Sequence, residues 1–352
     1  MEQIYIPKQD YKVLVRCFTY NQSKYIEDAL KGFAMQQTEI PFVCLVMDDC
    51  STDGEQEVIK AWMERECDMV KAEYIDIELS NVIIVPHKSN TSCTFAFYFL
   101  KQNLYGSGKK KMNMVYPWRE CCEYEALCEG DDYWIAEDKL QKQVEIMEYD
   151  KSVSMVYSKA KLFYQNQAKF DGSMGKPTSF EQLLCAFNNA IPTASILRRI
   201  DVFNAYIKEV DLESKSWKMG DYPFNLYASL NHRIHFIDNV TTVYRILSNS
   251  ASHNSDETKL LPYYKSIFDV KKFFLELSGS EKLKGKMCQH YLGFAYKMYC
   301  RIKCKEVKEL INVVYTYMNK DYGYENLIYK FMLSSHIHWT LKKIISGIYS
   351  KV

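Results

Sequence analysis

Short apolar runs that end abruptly in polar residues recur along the first half of the chain, and amphipathic stretches separate them. The runs predict buried strands at 12–18, 42–47, 81–85, 124–128 and 153–157. In several of the stretches between them, apolar residues return every three or four positions, which is typical of a helix with one buried face. Strands that alternate with helices predict an α/β fold in which helices cover both faces of a parallel sheet.

Three of the helices are predicted from local patterns. Two helix starts carry a capping-box pattern, Thr52 with Glu55 and Ser179 with Gln182. The apolar run that leads to Leu100 predicts another helix. We therefore expect helices to begin at both capping boxes and a further helix to end near Leu100.

Residues 103–123 are predicted to be an insertion between elements of the sheet. They contain Gly106 and Gly108 and a run of three lysines at 109–111. A run of like charges is typical of a solvent-exposed loop. The alternative is that the lysines border an anionic ligand.

From residue 255 onward the pattern is helical and rich in lysine. Residues 256–352 hold 17 Lys+Arg and 9 Asp+Glu, a net charge of +8, whereas the whole chain has a net charge of +1. We therefore expect a domain over residues 1–254 and a basic helical extension over residues 255–352. The extension either packs on the domain or rests peripherally on an anionic membrane. A nucleic-acid partner is not expected, because acidic residues are interspersed with the lysines and no nucleic-acid motif is present.

The cysteines and the apolar segments indicate the compartment. The twelve cysteines are scattered and include no Cys-x-x-Cys pair, which is typical of reduced thiols rather than of a zinc site. The first residues lack the pattern of a signal peptide, and no apolar segment approaches the roughly 20 residues that a membrane span needs. We expect a cytoplasmic protein that is at most attached to the inner face of the cell membrane.

Acidic residues are concentrated directly after the predicted strand at 124–128. The segment Glu129-Gly130-Asp131-Asp132 lies where open α/β sheets bind ligands. Carboxylates crowded together repel one another unless a cation neutralises them, and hard divalent cations prefer oxygen ligands. The segment therefore predicts a metal site that holds a phosphate. The alternative is a solvated acidic turn before the next helix.

Four segments taken together resemble the family 2 inverting glycosyltransferases, which have the GT-A fold, in particular those of bacterial surface polysaccharides. The resemblance implies a mixed sheet flanked by helices, with the helical extension following it. The four segments are Phe18-Thr19-Tyr20-Asn21, Asp48-Asp49-Cys50-Ser51-Thr52-Asp53, Glu129-Gly130-Asp131-Asp132-Tyr133-Trp134 and Gly220-Asp221-Tyr222-Pro223.

The first two segments imply a binding site for a nucleotide-sugar donor, with UDP as the expected nucleotide. By this resemblance, Thr19 and Tyr20 would lie against the base and ribose, and Asn21 would shape their loop. Either Asp48 or Asp49 would accept a hydrogen bond from the uracil ring. The sequence leaves open which of the two does so.

The other two segments imply the chemistry. Asp131 and Asp132 match the acidic motif that binds Mg²⁺ or Mn²⁺, and Asp131 would also lie beside the nucleotide. Asp132 is the expected direct ligand. Asp221 matches the general base that takes the proton of an acceptor hydroxyl, on a glycan or a lipid-linked saccharide. Attack by that hydroxyl inverts the sugar in one displacement, and the metal stabilises the leaving diphosphate.

Two departures from the family pattern affect the predicted site. Members often carry a Gly-rich Ala-Arg-Asn segment after the third strand, and here Asn90 begins the segment that replaces it, so Asn90 is predicted to contact the nucleotide. Members often have a histidine after the late Tyr-Arg pair, and here Ile246 follows Arg245. His253 is the nearest alternative ligand for phosphate or metal, although a single histidine is more often structural.

The acceptor cleft is predicted from position along the chain. Asn189, Thr193 and Trp217 flank the predicted base and are the candidates, with ordinary packing or turn formation as the alternative for each.

Two other functions compete with sugar transfer. One is a sugar-phosphate nucleotidyltransferase, which would show a Gly-rich phosphate loop after the first strand, and none is present. The other is a non-catalytic module that binds a nucleotide or a glycan. The presence of both the Asp131–Asp132 pair and Asp221 favours the enzyme.

Overall fold

The computed structural model describes residues 5, 7–107, 111–186, 189–247, 249–250, 253–254, 257–302 and 305–318. They form two compact units. The first, called the sheet unit, takes the described residues of Met1–Pro177, Ile191–Leu212 and His232–Ile246. The second, called the helical unit, takes those of Thr178–Ala190, Glu213–Asn231 and Leu247–Val352.

Eleven strands of the sheet unit form one mixed sheet among the described residues. Their order across the sheet is β3-β4-β5-β2-β1-β6-β10-β8-β11-β7, and β9 pairs with β8. The helical unit contributes a separate pair, β12 with β13. The strands are β1 Val13–Thr19, β2 Phe42–Asp48, β3 Glu73–Ile77, β4 Ser80–Pro86, β5 Cys93–Leu100, β6 Tyr124–Leu127, β7 Tyr133–Trp134, β8 Val153–Tyr164, β9 Lys169–Met174, β10 Leu197–Arg199, β11 Arg233–Ile246, β12 Asn249–Ser250 and β13 His253–Asn254.

The helices are shared between the two units. In the helical unit lie α6, α8 and the three long helices α9 to α11, and the others belong to the sheet unit. The helices are α1 Ile26–Ala34, α2 Glu55–Glu66, α3 Leu104–Ser107, α4 Tyr116–Glu120, α5 Lys139–Tyr149, α6 Phe180–Cys185, α7 Ile200–Glu209, α8 Asp221–Asn231, α9 Leu261–Ser278, α10 Glu281–Ile302 and α11 Lys305–Met318.

Both faces of the sheet are covered, as the sequence predicts. All seven residues of β2 are buried. Its even-numbered apolar residues belong to a core cluster that includes Leu30 of α1 and Trp62 of α2. Its odd-numbered residues belong to another that includes Leu104 of α3 and Trp118 of α4. Successive side chains of a strand point to opposite faces, so a strand this apolar must be central and covered twice.

The register of the central strands brings three polar strand ends to one edge. Strand β1 runs parallel to β2, with Thr19 opposite Asp48. It also runs parallel to β6, with Arg16 opposite Leu127. The segments that follow these three strands therefore meet at the carboxyl edge of the sheet, where open α/β sheets bind ligands.

The helix predicted before Leu100 is wrong, because this segment forms strand β5. It pairs with β2 on one side and β4 on the other. Phe95, Phe97 and Phe99 alternate along the strand, and their rings stack on one face of the sheet. Alternating aromatic residues favour a strand, and pairing on both sides satisfies its backbone hydrogen bonds.

One of the two predicted capping boxes is confirmed. Ser179 Oγ accepts from Gln182 N, and Gln182 Oε1 accepts from Ser179 N at the start of α6. Helix α2 instead starts after Gly54, and its first residue, Glu55, donates its N–H to Asp53 Oδ1 rather than to Thr52. The Glu55 side chain is used elsewhere, as described below.

The helical unit takes in more than the predicted extension. Besides the described residues after 246, it contains 178–190 and 213–231. This division is not the one that the sequence predicts, so the predicted boundary between residues 254 and 255 stays a prediction. None of the helices in the described part of the chain is both long and apolar enough to cross a membrane.

Candidate functional site

The loops that follow β1 and β2 are tied to each other by Asn21. Its N–H donates to Ser51 Oγ at 2.8 Å, and its Oδ1 accepts from Thr52 N at 2.8 Å. Asn21 has a φ of +55°, a left-handed conformation that asparagine adopts more readily than most residues. Thr19, the last residue of β1, and Tyr20, which is 45% exposed, thus stand on a loop of fixed shape.

The side chain of Glu55 fixes the same loop through hydrogen bonds. Its buried carboxylate accepts from Gln22 N and Ser51 Oγ, each at 2.8 Å, and from the hydroxyl of Thr19. Burial raises the pKa of Glu55, and the three donors act against that rise. From the sequence, Glu55 is recognisable only as part of a capping pattern. Its position shortly after the polar end of β2 is the only sequence signal of this second role.

Asp48 keeps one acceptor without a partner. Its Oδ1 accepts from Ser51 N at 3.1 Å and from Gln56 Nε2 at 2.6 Å. Its Oδ2 is buried and has no hydrogen-bond partner among the described residues. A buried carboxylate oxygen is normally paired, so this atom is suited to a donor group of a ligand.

Asp49 has the opposite environment. Its Oδ1 accepts from Leu104 N at 2.7 Å, and its Oδ2 accepts from Tyr105 N at 3.1 Å and Lys111 Nζ at 3.0 Å. Adjacent strand-end residues point to opposite faces, and Asp49 points to the face that the 103–123 segment covers. Asp49 therefore anchors this segment to the end of β2.

The 103–123 segment is not a solvent-exposed loop where the structure describes it. Leu104, Met114 and Trp118 are buried in the core. Lys111 is only 17% exposed and lies 5.2 Å from the centre of the Phe18 ring. Of the lysine run, positions 109 and 110 lie outside the described residues. Lys111 brings a positive charge to the carboxyl edge of the sheet.

The structure does not bring Asn90 to this edge. Asn90 precedes β5, which runs parallel to β2, so it lies near the amino end of these strands. Its Nδ2 donates to the carbonyls of Ala34 and Gln36 at 2.9 and 2.8 Å, which is a structural role. The segment that follows the third parallel strand is 103–123, because that strand is β5. The alternating phenylalanines of β5 were the signal that the sequence analysis missed.

Gly130 allows the acidic turn to approach the loop after β1. Its N–H donates to Phe18 O at 3.1 Å. A Cβ at this position would lie 2.4 Å from Thr19 Oγ1 and 2.5 Å from Gln22 Oε1. Only glycine fits such a close approach, so Gly130 determines where Asp131 and Asp132 stand.

Asp131 and Asp132 form an acidic pair in which Asp132 is buried and Asp131 is half-buried. Asp132 is 5% exposed, and its Oδ1 accepts from Arg245 N at 2.8 Å. Burial raises the pKa of both carboxyls, and the negative charge of Asp131 raises that of Asp132 further. Arg245 NH1 donates to the backbone carbonyl of Asp131 at 2.9 Å rather than to either carboxylate. A cation would relieve the repulsion between the two.

The pair fits a divalent cation that shares its coordination with a phosphate. Mg²⁺ is usually held by one or two carboxylates and by oxygens of the substrate phosphates. In the described part of the chain, no group of three or more His, Cys, Asp and Glu residues is placed to hold a metal alone. Two carboxylates with raised pKa values are therefore the donor set to which such an ion would bind.

Thr193 lies beside the acidic turn in the sheet unit. It begins a 3-10 turn at 193–195, next to the end of β6, where Leu127 N donates to Ile196 O at 3.2 Å. Trp134 Nε1 donates to Ala194 O at 2.9 Å and fixes the turn against β7.

The remaining predicted residues belong to the helical unit. Asp221 is the first residue of α8, and Asn189 Nδ2 donates to its Oδ2 at 3.3 Å. The Trp217 ring packs on Phe273 and Phe274 of α9, with ring centres 5.5 and 6.1 Å apart. His253 lies in β13, but its side chain is outside the described residues.

Comparison with known sequences identifies one family and a group of relatives. Residues 17–90 match the model of glycosyl transferase family 2. Uncharacterized proteins of Mycobacterium tuberculosis and Mycobacterium bovis are 29% identical over 185 residues, which is 51% of this chain and 45% of theirs. The chain thus aligns with somewhat less than half the length of these relatives.

Comparison with solved structures shows a shared fold. The structure of S. aureus TarS residues 1–349 in complex with UDP matches with a TM-score of 0.52, and the complex with UDP-GlcNAc matches with 0.55. Both are 17% identical and cover 87% of this chain and 80% of TarS 1–349. This chain, with its mixed sheet flanked by helices and its helical C-terminal region, is therefore similar in fold to TarS.

Proposed function

We propose that this chain, a family 2 glycosyltransferase with the GT-A fold, transfers a sugar from a UDP-sugar to a hydroxyl of a glycan or a lipid-linked saccharide. The observation that carries the proposal is the carboxyl edge of the sheet. There, an unpartnered acceptor on Asp48 ends β2, and the Asp131–Asp132 pair follows β6, the two strands that flank β1 in the sheet. The TarS structures hold UDP and UDP-GlcNAc, which supports a uridine nucleotide.

The base is read by Asp48 and held by the loop after β1. The N–H of the uracil ring donates a hydrogen bond to Asp48 Oδ2, the acceptor without a partner among the described residues. Asp49 is unsuited to this role because the 103–123 segment occupies both of its oxygens. Thr19 and Tyr20 contact the base and ribose, and Asn21 fixes the loop that carries them.

Asp131 and Asp132 would hold Mg²⁺ or Mn²⁺ at the place where the diphosphate binds. When bound, this ion acts as a Lewis acid that stabilises the negative charge of the leaving nucleotide. Gly130 sets the distance between the pair and Thr19, which fixes the diphosphate relative to the nucleoside. Lys111, 3.0 Å from Asp49 Oδ2, adds a positive charge at the same edge.

Asp221 takes the proton of the acceptor hydroxyl. The hydroxyl oxygen then forms a bond to the anomeric carbon while the bond from that carbon to the diphosphate oxygen breaks. The proton remains on Asp221, and UDP leaves with the bonding electrons. Attack from the face opposite the leaving group inverts the anomeric centre without a covalent enzyme intermediate.

The binding half of the proposal is tested by calorimetry of UDP with and without Mn²⁺. Asp132→Asn should weaken metal-dependent binding by about 100-fold or more, the upper end of the effect that is usual for residues that only support a ligand. Asp138→Asn is the control, because Asp138 is exposed and pairs with Lys142. Failure of UDP to bind the wild type with Mn²⁺ would contradict the donor site.

The base-reading residue is tested by comparing two adjacent substitutions. Asp48→Asn should weaken UDP binding by about 10- to 100-fold, because a hydrogen bond to a charged acceptor is lost. It should also reduce the preference for UDP over other nucleoside diphosphates. Asp49→Asn should leave that preference unchanged. The reverse result would assign base reading to Asp49.

The catalytic half is tested by turnover. UDP-sugars and saccharide acceptors are screened for UDP release, and Asp221→Asn should lower kcat by about 10²- to 10⁴-fold without changing UDP binding. UDP binding without any turnover would favour a non-catalytic module, and release of pyrophosphate from UTP and a sugar phosphate would favour a nucleotidyltransferase.

Membrane contact by the basic extension stays a prediction, testable by sedimentation with anionic vesicles.

A further inference from the structure

We propose that Asn189 and Asn225 are positioning residues for Asp221, which makes Asn189 a support of the base rather than part of the acceptor cleft. The inference rests on the role of Asp221 proposed above. It adds two residues to the machinery of the reaction, and one of them lies in the core of the helical unit.

The two asparagines and Asp221 form a chain of hydrogen bonds. Asn225 Nδ2 donates to Asn189 Oδ1 at 3.4 Å, and Asn189 Nδ2 donates to Asp221 Oδ2 at 3.3 Å. Asp221 and Asn225 are four residues apart on α8, so their side chains share one face of the helix. The chain restrains the rotation of the Asp221 carboxylate and determines where its oxygens point.

The burial of Asn225 is not explained by stability. Its side chain is fully buried, and its Oδ1 has no hydrogen-bond partner in the described part of the chain. A buried carbonyl oxygen without a partner destabilises a fold. The amide is therefore best explained by the bond that it makes to Asn189.

Helix α6, which precedes Asn189 in the chain, is bonded to α8 and α9. Tyr222 on α8 donates its hydroxyl proton to Leu183 O at 2.8 Å. The buried ammonium group of Lys271 on α9 donates to three carbonyls at the end of α6, those of Leu183, Leu184 and Ala186. A cation at the carboxyl end of a helix satisfies carbonyls that lack helical partners. These bonds hold the end of α6, the helix that precedes Asn189 in the chain, against α8 and α9.

Asn225→Leu separates positioning from structure. We expect the unfolding temperature to stay equal or rise, because the unpaired amide is removed. We expect kcat to fall about tenfold at an unchanged KM for the UDP-sugar, because a misplaced base slows the chemical step alone. Asn231→Leu, at the exposed end of the same helix, should change neither quantity. A clear loss of thermal stability or an unchanged kcat would overturn the proposal.

A double-mutant cycle tests whether both asparagines act through Asp221. Asn189→Leu and Asn225→Leu should lower kcat to similar extents, and the double variant should be no worse than either alone. In an Asp221→Asn background, neither substitution should lower the residual rate further. Additive losses in that background would overturn the positioning role. Full activity of Asp221→Asn itself would instead contradict the proposed function.

Discussion

Two sets of buried carboxylates lie on and after strand β6, and their surroundings are opposite. Glu125, within the strand, is fully buried and lies against Arg119, Arg198 and Arg16. Burial alone would raise the pKa of Glu125, but these three guanidinium groups hold it well below its usual range. Positive charge is in excess here, so Glu125 is a structural anion.

The acidic pair beyond the end of β6 lacks such compensation. Burial raises the pKa of Asp132 well above its usual range, and Asp131 adds to the rise. Arg245 is near, but its side chain pairs with Asp28 and with a backbone carbonyl. A buried carboxylate surrounded by cations stabilises the fold, whereas one without them is suited to bind a cation. Substitutions at the two positions should therefore change stability in opposite directions.

The largest effect is expected at Glu125. Glu125→Gln leaves three buried guanidinium groups without their anion and should lower the free energy of unfolding by about 3–5 kcal/mol. Urea denaturation measures the change. Glu123→Gln is the matched control, because Glu123 is 58% exposed in its pair with Lys12 and should matter by less than about 1 kcal/mol. An equal loss of stability in Glu125→Gln and Glu123→Gln would contradict the assignment of Glu125 as a structural anion.

A smaller destabilisation is expected at Gly130. Gly130→Ala places a methyl group 2.4 Å from Thr19 Oγ1, which should lower the free energy of unfolding by about 1–3 kcal/mol and weaken UDP binding. Gly220→Ala, where no atom lies within 4 Å of the added carbon, is the control for stability. Unchanged UDP affinity in Gly130→Ala would show that the acidic turn can move without consequence.

The smallest expected effect is a stabilisation at Asp132. Asp132→Asn keeps an acceptor for Arg245 N but removes a buried charge, so the free energy of unfolding should rise by about 1 kcal/mol at neutral pH. A carboxyl whose pKa is raised by folding destabilises the native state more as the pH rises, because only the unfolded state ionises freely. The gain should therefore vanish as the pH falls toward about 4, the ordinary pKa of aspartate. A loss of stability in Asp132→Asn at pH 7 would contradict the expectation that Asp132, unlike Glu125, destabilises the fold.

Much of the candidate site follows from local sequence. Thr19, Asp48 and Asp131 each end or follow a short apolar run, and apolar runs with polar ends predict buried strands. Parallel strands gather their carboxyl ends at one edge, so these residues meet whatever the loops do. The α/β fold was predictable for the same reason, because it depends on the order of such runs along the chain, whereas the GT-A fold was expected from the resemblance of four segments to a known family.

Other parts of the site required the tertiary structure. The sequence could not separate Asp48 from Asp49, because adjacent residues face opposite sides of the sheet and the sequence does not say what covers each side. Glu55 was recognised only as a helix-start residue, since its bonds to Thr19 and Gln22 join segments more than 30 positions apart. The apolar run of β5 could not be assigned by hydrophobicity alone, and this error placed Asn90 at the wrong edge.

The sequence by itself determined which strands are buried and which acidic residues follow them, because the alternation of apolar and polar residues acts over a few positions. Only the tertiary structure decided which buried charges are neutralised. Glu125 and Asp132 lie seven positions apart, and both follow or belong to the same apolar run. Their difference comes from Arg119, Arg198 and Arg16, which packing brings to one carboxylate and not to the other. Electrostatic interactions depend on distance in space, and that distance is set by the whole fold.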